Sequence, residues 1–343
     1  SSATKRACTG LFYQFLSDAA CVPCHWQYDA DKIRQSVEQD NNPLLFPVED
    51  RHWLNPFYKV SVGQNSMYAD QGRALLCSIA NKSDFDVLDY AKTLYSIFAG
   101  ENSLYGDFPE ESVSRDQYPV QRGWRPHSIK MFLFNVQSKQ KELSNNATED
   151  KIFLASGSSD DQSDCLTKVL PLVAFDIAKN SPESISPQVL ENIDKCVSVT
   201  QTGPKAVTTA LTAARILFKC IKEDLTTAES ATERFRRILM EVSQELLDDK
   251  RVYPTELDSD ASQAIQEALS NINRSHIEFV AENGKGCGLF FNFVNAMHAV
   301  LVHEGLIDSL TNTILAGGDC VARSNFIGAV FGTLSCSDDL PVE

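Results

Sequence analysis

The chain has 343 residues, of which 43% are apolar, and it carries a formal net charge of −15. This length and apolar content suffice for one large domain or two ordinary ones with a filled core. The negative charge repels nucleic-acid phosphates and anionic membranes, so we expect neither as a partner, and it favours solubility at high protein concentration.

The amino-terminal stretch predicts a helix, because apolar residues recur there at helical spacing. The ten cysteines are scattered along the chain, and the only close pair is Cys21 and Cys24. No second pair completes a metal-binding framework, so we predict free thiols in a reducing, cytoplasmic compartment. No apolar run of the sequence is long and unbroken enough to cross a membrane.

Helical periodicity continues along the chain, and alternating strand patterns of useful length are absent. Apolar helix faces are predicted within residues 75–80, 88–98, 207–217 and 235–242. Two stretches, 43–64 and 137–164, are predicted to be rich in loops because the first is rich in proline and aromatic residues and the second is polar. No linker is polar enough to separate independent domains, so we predict one all-α domain.

Four short segments carry side chains that could take part in chemistry. Asp18 lies late in the first predicted helix, and His25 follows seven residues later. Asp70 and Gln71 open a second predicted helix, and Asp319 opens a late one after a pair of glycines. A polar segment between them places three acids after a glycine turn: Asp160, Asp161 and Asp164.

Each of these segments, taken alone, has a structural explanation. Asp is a favoured N-cap residue and its charge suits the positive end of a helix dipole, so Asp70 and Asp319 are expected to be caps. His25 stands next to Trp26 and is expected to be packed or hydrogen-bonded. The acids at 160, 161 and 164 are expected to lie in a solvated loop.

The order of the four segments resembles the ADP-ribosylglycohydrolase family. Its members carry Gly-Asp-Ala-Leu-Gly, Thr-Asp-Asp and Gly-Gly-Asp-Thr-Asp-Thr, which residues 17–21, 69–71 and 317–322 match in part. Within the family, the motifs at 25–29 (HWQYD) and 68–71 (YADQ) resemble the J-crystallins of jellyfish lenses. The resemblance covers residues 5–334 and implies a single compact multi-helix domain of the family's all-α type, with tails at 1–4 and 335–343.

The resemblance also implies what chemistry to expect. Active members hold two magnesium ions in a central cleft, and such ions require several oxygen ligands. Here the positions of the family's ligands are largely changed: Ala69 and Ala322 replace threonines, Gln71 and Val321 replace acids, and His25 replaces a glutamate. We therefore expect no metal cofactor and no catalytic residue, with Asp70 and Asp319 as weak metal candidates. A vestigial cleft is expected at Asp18, His25, Asp70, Gln71 and Asp319.

The function predicted from this resemblance is structural: an inactive family member that serves as an eye-lens crystallin in the cytoplasm of lens cells. Self-association at high concentration is the expected mode of interaction. Two alternatives stay open at this point. The chain could be a divergent glycohydrolase that uses Asp70 or Asp319 as a base, or it could bind an ADP-ribose-like ligand without turnover.

Overall fold

The computed structural model of the chain describes residues 1–110, 112–141 and 149–334. Within these residues it contains fifteen α-helices and, in place of strands, four isolated β-bridges. The helices are α1 Ser2–Cys21, α2 Ala30–Asp40, α3 Met67–Lys82, α4 Val87–Ala99, α5 His127–Lys141, α6 Glu149–Leu154, α7 Val169–Asn180, α8 Pro187–Ser198, α9 Pro204–Lys222, α10 Ala231–Glu245, α11 Asp258–Ser270, α12 His276–Asn283, α13 Phe291–Val302, α14 Leu306–Ala316 and α15 Cys320–Leu334. The prediction of a single all-α domain is confirmed.

The helices α1 and α15 form the centre of the molecule and pack against each other along their length. Helix α15 is buried at every residue. Its glycines permit the close approach, because a Cβ added at Gly332 would lie 2.7 Å from the carbonyl oxygen of Thr9. This packing fixes Asp18, near the end of α1, and Asp319, immediately before α15, in one part of the core.

The apolar faces predicted from periodicity lie in the core with small differences. Leu94 and Phe98 of α4, Leu217 of α9 and Ile238 of α10 are all buried. In α3 the predicted Ala80 is exposed, whereas Leu75 and Ile79 of the same predicted face are buried, together with the polar residues Asp70 and Gln71 of its first turns.

Two boundary predictions differ from the structure. Helix α1 begins at Ser2, within the predicted tail 1–4, because the hydroxyl of Ser1 accepts a hydrogen bond from the Thr4 amide and caps it. The predicted loop at 137–164 contains the end of α5 and all of α6. The predicted tail 335–343 lies outside the described residues.

The nine cysteines within the described residues are free, as predicted, and most are buried. Burial raises the pKa of thiols such as Cys21 and Cys24 well above the ordinary value, so they remain protonated. In the part of the chain that the structure describes, no helix is both long enough and apolar enough to cross a bilayer.

Candidate functional site

The turn before α15 holds Asp319 in a fixed position. Gly317 and Gly318 have φ values of 78° and 73°, which glycine adopts without strain. A side chain at Gly318 would collide with the carbonyl oxygen of Lys285, which accepts a hydrogen bond from the Asp319 amide at 2.8 Å. The side chain of Asp319 then caps α15, since its Oδ1 accepts from the Ala322 amide at 3.0 Å.

Asp319 does more than cap the helix, because two buried side chains also donate to its carboxylate. Nε2 of His25 lies 2.9 Å from Oδ1, and the hydroxyl of Tyr68 lies 2.8 Å from Oδ2. Burial alone would raise the pKa of Asp319, but the His25 charge and the hydrogen bonds from His25, Ala322 and Tyr68 lower it below its usual value. Asp319 is therefore an ionised, fully buried acceptor.

His25 links Asp319 to Tyr58 in a buried chain of hydrogen bonds and does not face a cleft. Since the ionised Asp319 can only accept, Nε2 of His25 carries the hydrogen, and Nδ1 lies 2.8 Å from the hydroxyl of Tyr58. The ring of Trp26 stacks on the imidazole at a centroid distance of 4.0 Å. His25, Tyr58, Tyr68 and Asp319 are each at most 1% exposed, which isolates them from solvent.

Asp18 is likewise saturated by donors. Its Oδ1 accepts from the Ser66 amide at 2.7 Å and from Asn65 at 3.1 Å, and its Oδ2 accepts from the Ser66 hydroxyl at 2.6 Å and from Asn325 at 2.8 Å. Burial raises the pKa of Asp18, and these hydrogen bonds oppose that rise. The carboxylate joins α1 to α15 and to the start of α3.

Asp70 is not a helix cap, so that expectation is wrong. Ser66 caps α3 by accepting from the Tyr68 amide at 3.0 Å, which places Asp70 one turn inside the helix. The carboxylate of Asp70 instead accepts from Nε of Arg73 at 2.9 Å and from the Tyr105 hydroxyl at 2.7 Å. Burial, followed by the charge of Asp70, raises the pKa of Tyr105, so the phenol stays a donor.

Gln71 faces a second buried acid. Its Nε2 donates to Oδ2 of Asp164 at 3.0 Å, and the hydroxyl of Ser128 donates to the same oxygen at 2.6 Å. Oδ1 of Asp164 and Oε1 of Gln71 are buried without a hydrogen-bond partner among the described residues. Burial, reinforced by the charge of Asp160, raises the pKa of Asp164.

The expectation of a solvated loop at 160–164 is therefore wrong for two of its three acids. Asp160 is 5% exposed and Asp164 is fully buried, whereas Asp161 is exposed. The cause is that the 3₁₀ turn Ser163–Lys168 packs between α3 and α9, where Asp164 accepts from Gln71 and Ser128, and that Asp160, just before the turn, accepts from Gln201. Polar composition alone does not distinguish this arrangement from a loop in water.

Three of the predicted site residues, Asp18, His25 and Asp319, belong to one hydrogen-bonded network, whereas Asp70 and Gln71 have separate partners. His25 and Asp319 touch directly, and Asp18 reaches them through Ser66, the cap of the helix that carries Tyr68. Asp70 and Gln71 point to other partners. Sequence reasoning missed the donors Tyr58, Tyr105 and Asn325 and expected Asp164 in solvent, whereas the donors to Asp319, namely His25, Tyr68 and the Ala322 amide, all stand in the quoted motifs.

Comparison with known proteins agrees with this arrangement of motifs. The model of the ADP-ribosylglycohydrolase family matches residues 1–343. The chain belongs to the ADP-ribosylglycohydrolase family. Two relatives from Tripedalia cystophora are similar along almost the whole chain. Crystallin J1A is 28% identical over 95% of this chain and 87% of its own length, and Crystallin J1B is 26% identical over 94% and 86%.

A solved structure supports the same fold. An "ADP-ribosylglycohydrolase-related protein complex" superposes with a TM-score of 0.58 at 11% identity, and the match covers 97% of this chain and 88% of the other. At this identity the likeness concerns the fold and not the chemistry.

The magnesium pair of active family members does not fit the side chains present here. Three donors approach the Asp319 carboxylate, and Arg73 and Tyr105 approach that of Asp70. Val321 and Ala322 are buried and offer no side-chain oxygen. Within the described residues, no three His, Cys, Asp or Glu side chains lie close enough together to hold a metal ion.

A cavity of about 360 Å³ opens beside this network, and its walls include Trp26, Phe57, Trp124 and Cys287. A glycine-rich loop, 284–289, separates it from Asp319. The loop accepts from the Asp319 amide at Lys285 and from the Ser163 amide and hydroxyl at Cys287, at 2.8 to 2.9 Å. The loop and the Trp26 ring lie between the cavity and the carboxylates of the family motifs.

Proposed function

We propose that this chain is a structural, crystallin-type member of its family and that it has no glycohydrolase activity. The observation that carries the proposal is the Asp319 carboxylate, which is surrounded by donors from His25, Tyr68 and Ala322. A hard divalent cation needs free oxygen lone pairs, and a general base needs an accessible one. Asp319 is fully buried, and three of the roughly four acceptor positions of its carboxylate are already occupied.

The similarity to Crystallin J1A and Crystallin J1B along nearly the whole chain supports the same proposal. A lens protein must stay dispersed at high concentration in the cytoplasm of its cell, and the net charge of −15 supplies mutual repulsion. We further propose that its contacts are weak self-association, with no nucleic-acid or membrane partner and no magnesium cofactor.

The alternative of a glycohydrolase would require Asp70 or Asp319 to act on a substrate. Both residues are at most 4% exposed, and their carboxylates already accept hydrogen bonds from protein groups. The geometry therefore favours the structural role.

The test is an activity measurement with a matched variant. The purified protein is incubated with ADP-ribosylated protein and Mg²⁺, and released ADP-ribose is compared with that released by Asp319→Asn. We expect both to equal the rate without enzyme. Turnover that Asp319→Asn or Asp70→Asn abolishes, while circular dichroism shows an intact fold, would establish the glycohydrolase instead.

A second measurement addresses the crystallin role itself. Static light scattering at low ionic strength should give a positive second virial coefficient that falls as salt is added, because at about 0.15 M the Debye length shrinks to about 8 Å. A negative coefficient at low salt would contradict dispersal by charge.

A further inference from the structure

Two buried histidines face each other where α12 meets α13. Nδ1 of His276 and Nδ1 of His298 lie 3.1 Å apart, and both residues are at most 2% exposed. Nε2 of His298 lies 3.0 Å from the carbonyl oxygen of Asn271, so this nitrogen carries a hydrogen. Nδ1 of His298 is then the acceptor, and Nδ1 of His276 is the donor. The hydrogen bond between the two rings therefore requires a neutral His298.

The surroundings also oppose a positive charge on His276. Its Nε2 could take a proton, but the hydrogen-bonding partner of this nitrogen is the Thr313 hydroxyl at 3.4 Å. Nη2 of Arg323 donates to the carbonyl of Thr313 at 3.1 Å, so a buried guanidinium lies beside the same residue. His276 is also the first residue of α12, where the helix dipole presents its positive end. Burial, followed by the charge of Arg323, holds the pKa of His276 well below its usual value.

No carboxylate among the described residues accepts a hydrogen bond from this histidine pair. Asp308 accepts instead from Nδ1 of His303 at 2.8 Å, and the ring of His303 stands edge-on to that of His276 at a centroid distance of 5.9 Å. Glu282 pairs with Arg274, a further cation near the pair, at 2.6 Å. A proton added to either ring of the pair therefore brings a charge that no acid beside it compensates.

The two ends of α12 are held to α13 by different chemistry. The first residue, His276, is held by the histidine pair. At the last residue, Nδ2 of Asn283 donates to Oδ1 of Asn295 at 2.9 Å, and Nδ2 of Asn295 donates to the carbonyl of Gly284 at 2.8 Å. Amides do not titrate in the range where histidines do. Acid therefore acts on one end of this helix and leaves the contacts of the other end unchanged.

We propose that acid separates the His276 end of α12 from α13, while the Asn283 end stays docked and the α1–α15 centre stays folded. Protonation of His298 removes the acceptor for His276 and sets two N–H groups against each other at Nδ1. Opening to water hydrates the added charge, which the closed core cannot do. A helix of eight residues is too short to persist alone, so α12 loses its own hydrogen bonds once its first turn separates.

Native-state hydrogen exchange of the full chain tests the proposal, with rates corrected for the intrinsic effect of pH on amide exchange. In the open form a histidine takes its ordinary pKa near 6.5, whereas burial and the charges of His303 and Arg274 hold that of His298 at about 4 in the closed form. The open population should therefore rise about twentyfold from pH 7 to pH 5, and the protection of the amides within 280–283 should fall by that factor. Because the opening exposes little surface, this exchange should depend only weakly on sub-denaturing urea, unlike that of α15.

Variants assign the effect to the histidine pair. The double variant His276→Gln, His298→Gln removes both titrating rings, so the protection of α12 should become nearly independent of pH. His127→Gln, at an exposed histidine that begins α5, is the control and should respond like wild type. The wild-type data decide the proposal even where the double variant does not fold. It is overturned if the protection of α12 does not fall between pH 7 and pH 5, or if α12 and α15 show equal protection and equal urea dependence. A folded double variant that responds to pH like His127→Gln also overturns it.

Discussion

Two buried acids of this molecule, Asp319 and Asp164, lie on either side of the same glycine-rich loop. Their surroundings shift their pKa values in opposite directions. Asp319 accepts three hydrogen bonds and its pKa is lowered. Asp164 accepts two hydrogen bonds on one oxygen, leaves the other without a partner among the described residues, and its pKa is raised.

The difference shows that burial does not decide the state of a carboxylate. Both side chains are fully buried, so the cost of removing charge from water applies to both. At Asp319 the donors outweigh that cost and keep the group ionised. At Asp164 the charge of the neighbouring acid Asp160 adds to the cost of burial, and together they raise the pKa of its carboxyl.

The largest effect should follow from removing the Asp319 carboxylate. Asp319→Ala leaves His25, Tyr68 and the Ala322 amide without an acceptor inside the core. We expect the free energy of unfolding in urea to fall by about 3–5 kcal/mol, the usual cost of breaking a buried charged pair.

The control for this variant is Asp86→Ala. Asp86 is exposed and caps α4 through the Leu88 and Asp89 amides. It should lose only about 0.5–2 kcal/mol, the worth of a cap. Equal losses at the two positions would mean that the donors from His25 and Tyr68 contribute nothing and that Asp319 is only a cap.

A smaller and sharper comparison comes from changing each acid to its amide. Asp319→Asn replaces an ionised acceptor with a group that must turn an N–H toward donors, and should cost about 2 kcal/mol. Asp164→Asn keeps the acceptor for Gln71 and Ser128, adds a donor and removes a buried charge, so stability should change by less than about 1 kcal/mol. Urea unfolding at neutral pH checks both, and a larger loss at Asp164 would reverse the comparison.

The two acids should also titrate with opposite signs. The folded pKa of Asp319 is lowered, so its contribution to stability is present above the unfolded value near 3.8 and is lost as pH falls through the folded pKa. The folded pKa of Asp164 is raised, so its contribution is present below that value and is lost as pH rises through the folded pKa. The advantage of wild type over Asp319→Asn should shrink in acid, while Asp164→Asn should gain on wild type as pH rises from about 4.

A histidine pair must be separated from this effect. Nδ1 of His276 and Nδ1 of His298 lie 3.1 Å apart, and His298 donates to the Asn271 carbonyl at 3.0 Å. Burial lowers the pKa of both, that of His298 to about 4, so every variant should lose stability between about pH 6.5 and 4. Because this loss is common to all variants, it cancels when their free energies of unfolding are compared at one pH. If the stability of wild type showed no such loss between these pH values, the histidine pair would not stay neutral.

The fold could largely be predicted from sequence because helical periodicity continues along the whole chain and the three motifs follow one another in the family's order. The site could be predicted only in part. Asp319 and His25 stand in motifs, but the roles they have here depend on Tyr58 and Tyr68, which are brought to them by α3 and by a loop. Asp164 was misplaced because a polar segment that pairs with side chains of neighbouring helices has the same composition as one in water.

The central claim is that the carboxylate of Asp319 is closed to metal ions by the chain's own donors. Mn²⁺, which takes the same hard oxygen ligands as Mg²⁺ and is visible by electron paramagnetic resonance, tests it directly in a titration of wild type against Asp319→Asn. The account predicts that both proteins bind Mn²⁺ alike and no more tightly than on the order of millimolar, since a closed site cannot replace the ion's waters. Stoichiometric micromolar binding by wild type that Asp319→Asn removes would contradict it.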